Sequence, residues 1–121
     1  RMVERVDSSL KIGLVGPCAA GKTTLAAQLC LRGYHARHIA QEHSYVAYMW
    51  QRIANPDILI YLAVSYENTL KRRKMNWTRA EYQEQLYRLR HAIANADLII
   101  DTDKLTPEEV LAEAIEFLKQ R

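Results

Sequence analysis

Residues Gly16-Pro17-Cys18-Ala19-Ala20-Gly21-Lys22-Thr23 satisfy the pattern G-x-x-x-x-G-K-[ST] at every position. The spacing has a mechanical reason. Gly16 and Gly21 let the backbone turn sharply, so that successive N–H groups, those of Cys18, Ala19 and Ala20 among them, can ring a phosphate. A helix beginning near Lys22 adds the positive end of its dipole to the same point. Lys22 has the length to reach the β- and γ-phosphates of a nucleotide, the Thr23 hydroxyl can ligand Mg²⁺, and Thr24 can donate toward the α-phosphate. The plainer reading is a chance pattern in a glycine-bearing turn. The flanks argue against it, because an apolar run precedes the motif and a helical pattern follows it. A nucleoside triphosphate is the ligand these residues predict.

Positioning such a loop requires a strand that delivers it and a helix that leaves it. Leu10 to Val15 (LKIGLV) is a short apolar run between Asp7-Ser8-Ser9 and Gly16-Pro17, which reads as a buried strand. From Gly21 the spacing of Leu25, Ala26 and Leu29 predicts a helix, with Gly33 as its C-terminal stop. His35 to Gln41 (HARHIAQ) is a second strand with thin apolar content. Ser44 can cap a helix over residues 44–54, in which Val46, Met49, Trp50 and Ile53 share a face, and Asn55-Pro56 ends it. Ile58 to Val64 (ILIYLAV) is a strand apolar on both faces. The stretch Tyr66 to Asn95 is helical in spacing, broken around Asn76-Trp77-Thr78, with a Glu84–Arg88 pair four residues apart. Asp97 to Asp101 is a short strand, and Thr106-Pro107-Glu108-Glu109 opens a final helix as a capping box. Four strands, each followed by a helix, predict an α/β sandwich of three layers with a mainly parallel sheet in the order 2-1-3-4. The nucleotide is then expected at the C-terminal edge of the first strand.

A phosphate loop with Mg²⁺ needs a second acid at the end of a neighbouring strand. Glu42 follows the second strand directly, and if that strand lies beside the first, its carboxylate comes close to Thr23. The bland alternative is an acid that merely complements a helix N-terminus. Asp101 also ends an apolar strand and is the rival. Asp57 precedes its strand and so faces the wrong end of a parallel sheet.

The remaining composition narrows the function classes. The chain has 121 residues, 49% hydrophobic and 26% charged, which fits one globular domain over 1–121. No apolar run approaches the ~20 residues that span a bilayer, and no charged-then-apolar leader opens the sequence. With only two cysteines, Cys18 and Cys30, a soluble protein of the reducing cytoplasm is expected, with Cys30 in the core. A net charge of +3 suits a phosphate-bearing ligand but not a nucleic-acid surface, and the seven tyrosines lack basic interleaving. His35, His38 and His43 fit no zinc spacing. Trp77 either anchors its loop or stacks on a base, and Tyr45 and Tyr48 are candidates to line an acceptor pocket.

Three stretches carry a resemblance to the P-loop nucleoside-monophosphate kinase-like group, which includes adenylylsulfate and shikimate kinases. They are Ile12 to Leu25 (IGLVGPCAAGKTTL), Pro56 to Arg73 (PDILIYLAVSYENTLKRR) and Asn95 to Val110 (NADLIIDTDKLTPEEV). The resemblance implies an arginine-bearing lid after the strand Ile58 to Val64, with Arg72 or Arg73 clamping the transferred phosphoryl and Arg79 further into the lid; a planar guanidinium suits that task. A solvated helix face is the plainer reading of Lys71 to Lys74. The resemblance also implies that Thr102 to Leu105 lies beside the base. It makes the strand of Asp101 remote from the metal, and it sets Glu42-His43-Ser44 beside the Glu-Arg-Ser motif of deoxynucleoside kinases. The Asn/Thr-Lys-x-Asp sequence that reads guanine is missing: Asp103-Lys104-Leu105-Thr106 has only its lysine. ATP with Mg²⁺ is therefore the expected pair.

The chain departs from this group between its second strand and Ile58. Kinases of the group place a further strand and a substrate-holding insert there, whereas residues 34–55 have room for one strand and one helix. Two function classes follow. One is a small ATP-dependent kinase-like phosphotransferase, with Lys22, Glu42, Arg72 and Arg73 as its catalytic residues and a small-molecule phosphate acceptor. The other is a nucleotide-binding module or slow ATPase that acts through a protein partner. A second subunit, as in a homodimer, is one source for the missing insert. The first class predicts a charge-lined concavity beside Glu42; the second predicts that residues 44–54 fill that space.

Overall fold

The computed structural model describes residues 6–121. Four strands, β1 (Lys11–Val15), β2 (His35–His38), β3 (Ile58–Ala63) and β4 (Leu98–Asp101), form one sheet in the order β2-β1-β3-β4, with every neighbouring pair parallel. The expected order 2-1-3-4 is the observed one. Six α-helices lie among the described residues: α1 (Lys22–Leu31), α2 (Met49–Ile53), α3 (Tyr66–Arg72), α4 (Arg79–Arg88), α5 (Arg90–Asn95) and α6 (Pro107–Lys119).

Strand alternation divides the core in two. Ile12, Leu14, Ile58, Ile60 and Leu62 point to one face, where Leu25 and Leu29 of α1 and Leu111, Ala114 and Leu118 of α6 cover them. Val15, Leu59 and Tyr61 point to the other, beneath Trp50 of α2, Leu89 and Ala92. This is an α/β fold with helices on both sides of the sheet. β2 has a thin apolar signal because it is an edge strand in which Ala36 alone is buried. Its ladder extends past the strand through the Ile39 amide, which donates to Leu14 O at 2.8 Å. At the opposite end of the sheet, Asp57 accepts from the Lys11 amide at 2.8 Å and Asp97 from the Leu59 amide at 2.8 Å, closing the strand entries.

The helix starts follow their caps. Thr78 with Glu81 and Thr106 with Glu109 form complete capping boxes, the second with proline in the first turn. The expected break near 76–78 lies between α3 and α4, a second break falls at Leu89, and Arg88 pairs with Glu84 as expected.

Residues 44–54 depart from expectation. Ser44 caps no helix; its hydroxyl bonds within a turn to Val46, and α2 begins only at Met49. The cause is Gln41. Its side-chain amide donates to Val46 O at 2.9 Å and to Arg88 O at 3.0 Å, and its oxygen accepts from the Trp50 amide at 2.8 Å. One buried glutamine thus satisfies backbone groups that a longer helix would have paired internally. Cys30, expected in the core, is exposed, with its thiol directed at Ala36 O. No helix among the described residues is long and apolar enough to cross a membrane.

Leu62 is wholly buried between the sheet and the α1/α6 layer. Leu62→Ala is expected to cost about 2–5 kcal/mol, read as a lower urea midpoint at unchanged m-value.

Candidate functional site

The glycine loop leaves the carboxyl end of β1 and enters α1. Its path depends on two residues in the left-handed region, Ala19 at φ +69° and Gly21 at φ +98°. Gly16 is required for a different reason: a Cβ there would lie 2.4 Å from the Leu62 carbonyl oxygen of β3. The first turn of α1 has no side-chain cap, so the N–H groups of that turn are directed into the loop without a side-chain acceptor.

Lys22 is the most constrained residue here. It is buried, and its ammonium donates to Gly16 O at 2.7 Å, Pro17 O at 3.0 Å and Glu42 Oε2 at 2.9 Å. All three ammonium protons therefore have acceptors. Glu42 lies on the 3₁₀ turn Gln41–His43 just beyond β2, and the parallel pairing of β1 with β2 brings that turn to the loop. Glu42 is 4% exposed, and its second oxygen, Oε1, is buried without a hydrogen-bond partner among the described residues. Burial raises the Tyr61 hydroxyl far above the usual phenol range, with Tyr82 and Glu42 adding to the effect.

Two concavities flank the loop. One is a polar recess of about 200 Å³ that includes Lys22, Thr23, Glu42, His43, His38 and Arg73 in its wall. This is the charge-lined concavity beside Glu42. The other, of about 280 Å³, is mainly apolar, with Leu25, Leu105, Val110 and Leu111 in its wall together with Arg72 and Thr102. Ala19, Gly21 and Thr24 belong to both walls.

The adjacent arginines diverge to these two sides. Arg72 closes α3 and bridges to Ala19 O at 3.1 Å, Thr102 Oγ1 at 2.9 Å and Thr102 O at 2.6 Å, across the apolar cavity. Arg73 follows in extended conformation and lines the polar recess. Asp103 steadies the same corner. Burial alone would raise its carboxyl, but bonds from Ser65 and Asn68 and the charge of Arg72 hold it below the usual range.

The other sequence candidates lie elsewhere. Asp101 is exposed and accepts from the Asp103 amide. Tyr45 is 85% exposed, with the Arg88 guanidinium over its ring, and Tyr48 lies against His91; neither lines the recess. Arg79 ion-pairs with Glu67 and covers the Tyr66 ring. Trp77 donates to Thr69 Oγ1 and packs on Tyr66 and Tyr82, which fixes the α3–α4 connection.

Sequence reasoning missed Gln85. Its amide oxygen accepts from the Cys18 amide at 3.0 Å and its nitrogen donates to Cys18 Sγ at 3.1 Å, so α4 is clipped to the glycine loop. The available signal was a glutamine in the core-facing register between Tyr82 and Leu89. The Thr23 hydroxyl and the Glu42 carboxylate line one recess, and their oxygens, with the orphaned Oε1, are of the type that could hold a hard cation or its water. Gln85→Ala would leave the Cys18 N–H without its acceptor, at a cost of about 1–3 kcal/mol. The expected result is faster hydrogen exchange at the Cys18 amide, with the α1 and β1 core amides little changed.

No family model matches this chain, and no curated protein matches it. Among solved structures it is similar to the YorR protein of Bacillus subtilis, crystallised in complex with phosphorylated GDP: the TM-score is 0.63 at 15% identity, over 90% of this chain and 95% of that one. At that identity the likeness establishes the shared architecture, a parallel α/β sheet with helices on both faces.

Proposed function

We propose that this chain is a P-loop domain that binds Mg-ATP and acts as a small kinase-like phosphotransferase. The observation that carries the reading is the recess in which Lys22, Thr23 and Glu42 meet at the mouth of an intact glycine loop. The amides of Ala19 and of Gly21 to Thr24 bind the phosphates, while those of Cys18 and Ala20 are engaged by Gln85 and the Pro17 carbonyl, and Lys22 neutralises the β/γ-oxygens. Because every Lys22 donor already has a partner, a phosphate must displace one, and Glu42 is the partner with an alternative. Thr23 and Glu42 would hold Mg²⁺, which when bound bridges phosphate oxygens and offsets their charge. Arg73, on the recess wall, is placed for the transferring group. Arg72, Thr102 and Leu105 frame the apolar cavity, which suits a base. The likeness to a structure solved with a guanine nucleotide supports a nucleotide ligand while leaving GTP as the comparison base.

One observation favours the second reading, a nucleotide-binding module or slow ATPase working through a protein partner. Tyr45 and Tyr48 face outward, and Gln41 and Trp50 fill the region between β2 and β3. None of residues 44–54 lines the polar recess.

Phosphorus NMR of the protein with Mg-ATP, Mg-GTP and pooled nucleotides and small alcohols separates the readings, with Lys22→Ala as control. The kinase reading expects new phosphoester signals that the variant lacks. Nucleotide broadening without a new ester supports the module. Lack of perturbation by the wild type would overturn both. Glu42→Gln is expected to lower turnover by about 10²-fold or more while nucleotide still binds.

A further inference from the structure

Beside the oxygen ligands, the polar recess holds a second and chemically different donor set. Cys18 comes from the glycine loop and Glu42 and His43 from the 3₁₀ turn after β2. One ligating atom from each lies within 4.8 Å of the others. His43 Nε2 is the common neighbour, at 3.8 Å from Cys18 Sγ and 3.7 Å from Glu42 Oε2. Ligands sharing one tetrahedral zinc ion, with metal–sulfur near 2.3 Å and metal–nitrogen or –oxygen near 2.0–2.2 Å, stand roughly 3.4–3.6 Å apart. Two of the three contacts thus need only a few tenths of an ångström of closure.

Two independent features aim the set at a cation. Glu42 is nine-tenths buried; its Oε2, the oxygen near His43, already accepts from Lys22, while its Oε1 is buried without a partner among the described residues and is free to ligate. The Gln85 amide donates to Cys18 Sγ at 3.1 Å, using the sulfur as an acceptor and fixing its direction, as partners behind metal ligands do. The fourth position is left to water, because His38 lines the recess but does not join the group.

We propose that Cys18, His43 and Glu42 form a site for a borderline-soft divalent cation, Zn²⁺ foremost, which competes with Mg-nucleotide for the recess. Softness sorts the two metals: thiol and imidazole select zinc, while the Thr23 and Glu42 oxygens suit magnesium. On binding, the Cys18 thiol gives its proton to solvent and coordinates as thiolate, and the neutral His43 imidazole coordinates through Nε2. Both sites use Glu42, so occupancy of one excludes the other. A zinc ion on Cys18 also sits within the loop that would ring the phosphate. The Lys22 ammonium, 2.9 Å from Glu42, holds the zinc affinity below that of a closed all-cysteine site, which suits a reversible inhibitor.

Cobalt(II) reads the metal site without any nucleotide. Titration of the wild-type protein with Co²⁺ is expected to give thiolate-to-cobalt charge-transfer absorption and intense tetrahedral d–d bands, both displaced by Zn²⁺. Cys18→Ser should abolish the charge-transfer band. His43→Ala, at an exposed position that leaves the core intact, should weaken Co²⁺ and Zn²⁺ binding about tenfold or more. Wild-type spectra without a thiolate band, or Zn²⁺ affinity unchanged in both variants, would overturn the site. The exclusion clause rests on the nucleotide reading and is measured separately, as Mg-ATP affinity with and without Zn²⁺. If Mg-ATP fails to bind even without zinc, the nucleotide reading falls and the metal site stands on its spectra. If both bind together, the exclusion is wrong.

Discussion

The Lys22 ammonium holds together the parts of this molecule that matter for chemistry. Two of its bonds go to carbonyls of its own loop and the third to Glu42, so it ties the exit of β1 to the exit of β2. Removing a cation and a carboxylate from water is expensive, and their attraction offsets this only when the remaining donors and acceptors are also matched. Lys22 meets that condition and Glu42 does not, because Oε1 has no partner among the described residues. The pair is therefore complete on the lysine side and open on the acid side. The sheet makes this pairing available, since parallel neighbours deliver their carboxyl ends to one edge. The same edge constrains the loop from behind: the Leu62 carbonyl lies where a side chain on Gly16 would be.

The loop also separates two environments. On one side are the charged groups around Lys22 and Glu42; on the other is a cavity lined by leucine and valine from α1, α6 and the turn before α6. Arg72 and Arg73 are adjacent in sequence yet serve opposite sides, because the helix ends between them and the backbone turns from helical to extended. A ligand with a charged chain and a flat apolar end matches this division. That is the physical content of the nucleotide reading, and it does not depend on any likeness to another protein.

Much of the fold was legible because its signals were local. The strand Ile58–Ala63 is apolar at every position, the capping box at Thr106 marks its helix start, and the glycine loop has a fixed spacing. The order 2-1-3-4 brought Glu42 to the glycine loop, where it was expected near Thr23; its ion pair with Lys22 was not foreseen. What was illegible depended on single side chains reaching across the structure. Gln41 replaces helical hydrogen bonds over 44–48 by bonding to the backbone of Val46 and Trp50 and, across the structure, of Arg88, which periodicity cannot reveal. Gln85 looks like any polar residue on a polar helix until α4 is docked on the loop. The grouping of Cys18 with His43 was invisible for a related reason, since a metal-ligand spacing is a sequence signal only when one local element supplies the ligands.

The short segment between β2 and β3 bears on which function class the recess serves. An α/β sheet needs both faces covered, and here the face beneath Val15, Leu59 and Tyr61 is closed economically by Trp50, Leu89 and Ala92. Gln41 makes this closure workable by satisfying the Trp50 amide and linking the turn to the end of α4. The same economy leaves the recess bounded by His43 and Arg73 on its outer side instead of by an enclosing subdomain. Water exclusion and orientation of an acceptor, which phosphoryl transfer requires, must then come from whatever seats against that rim. In the proposed reading, a large acceptor or a partner surface meets this requirement better than a small free alcohol, because it can close over the recess and supply the missing wall itself.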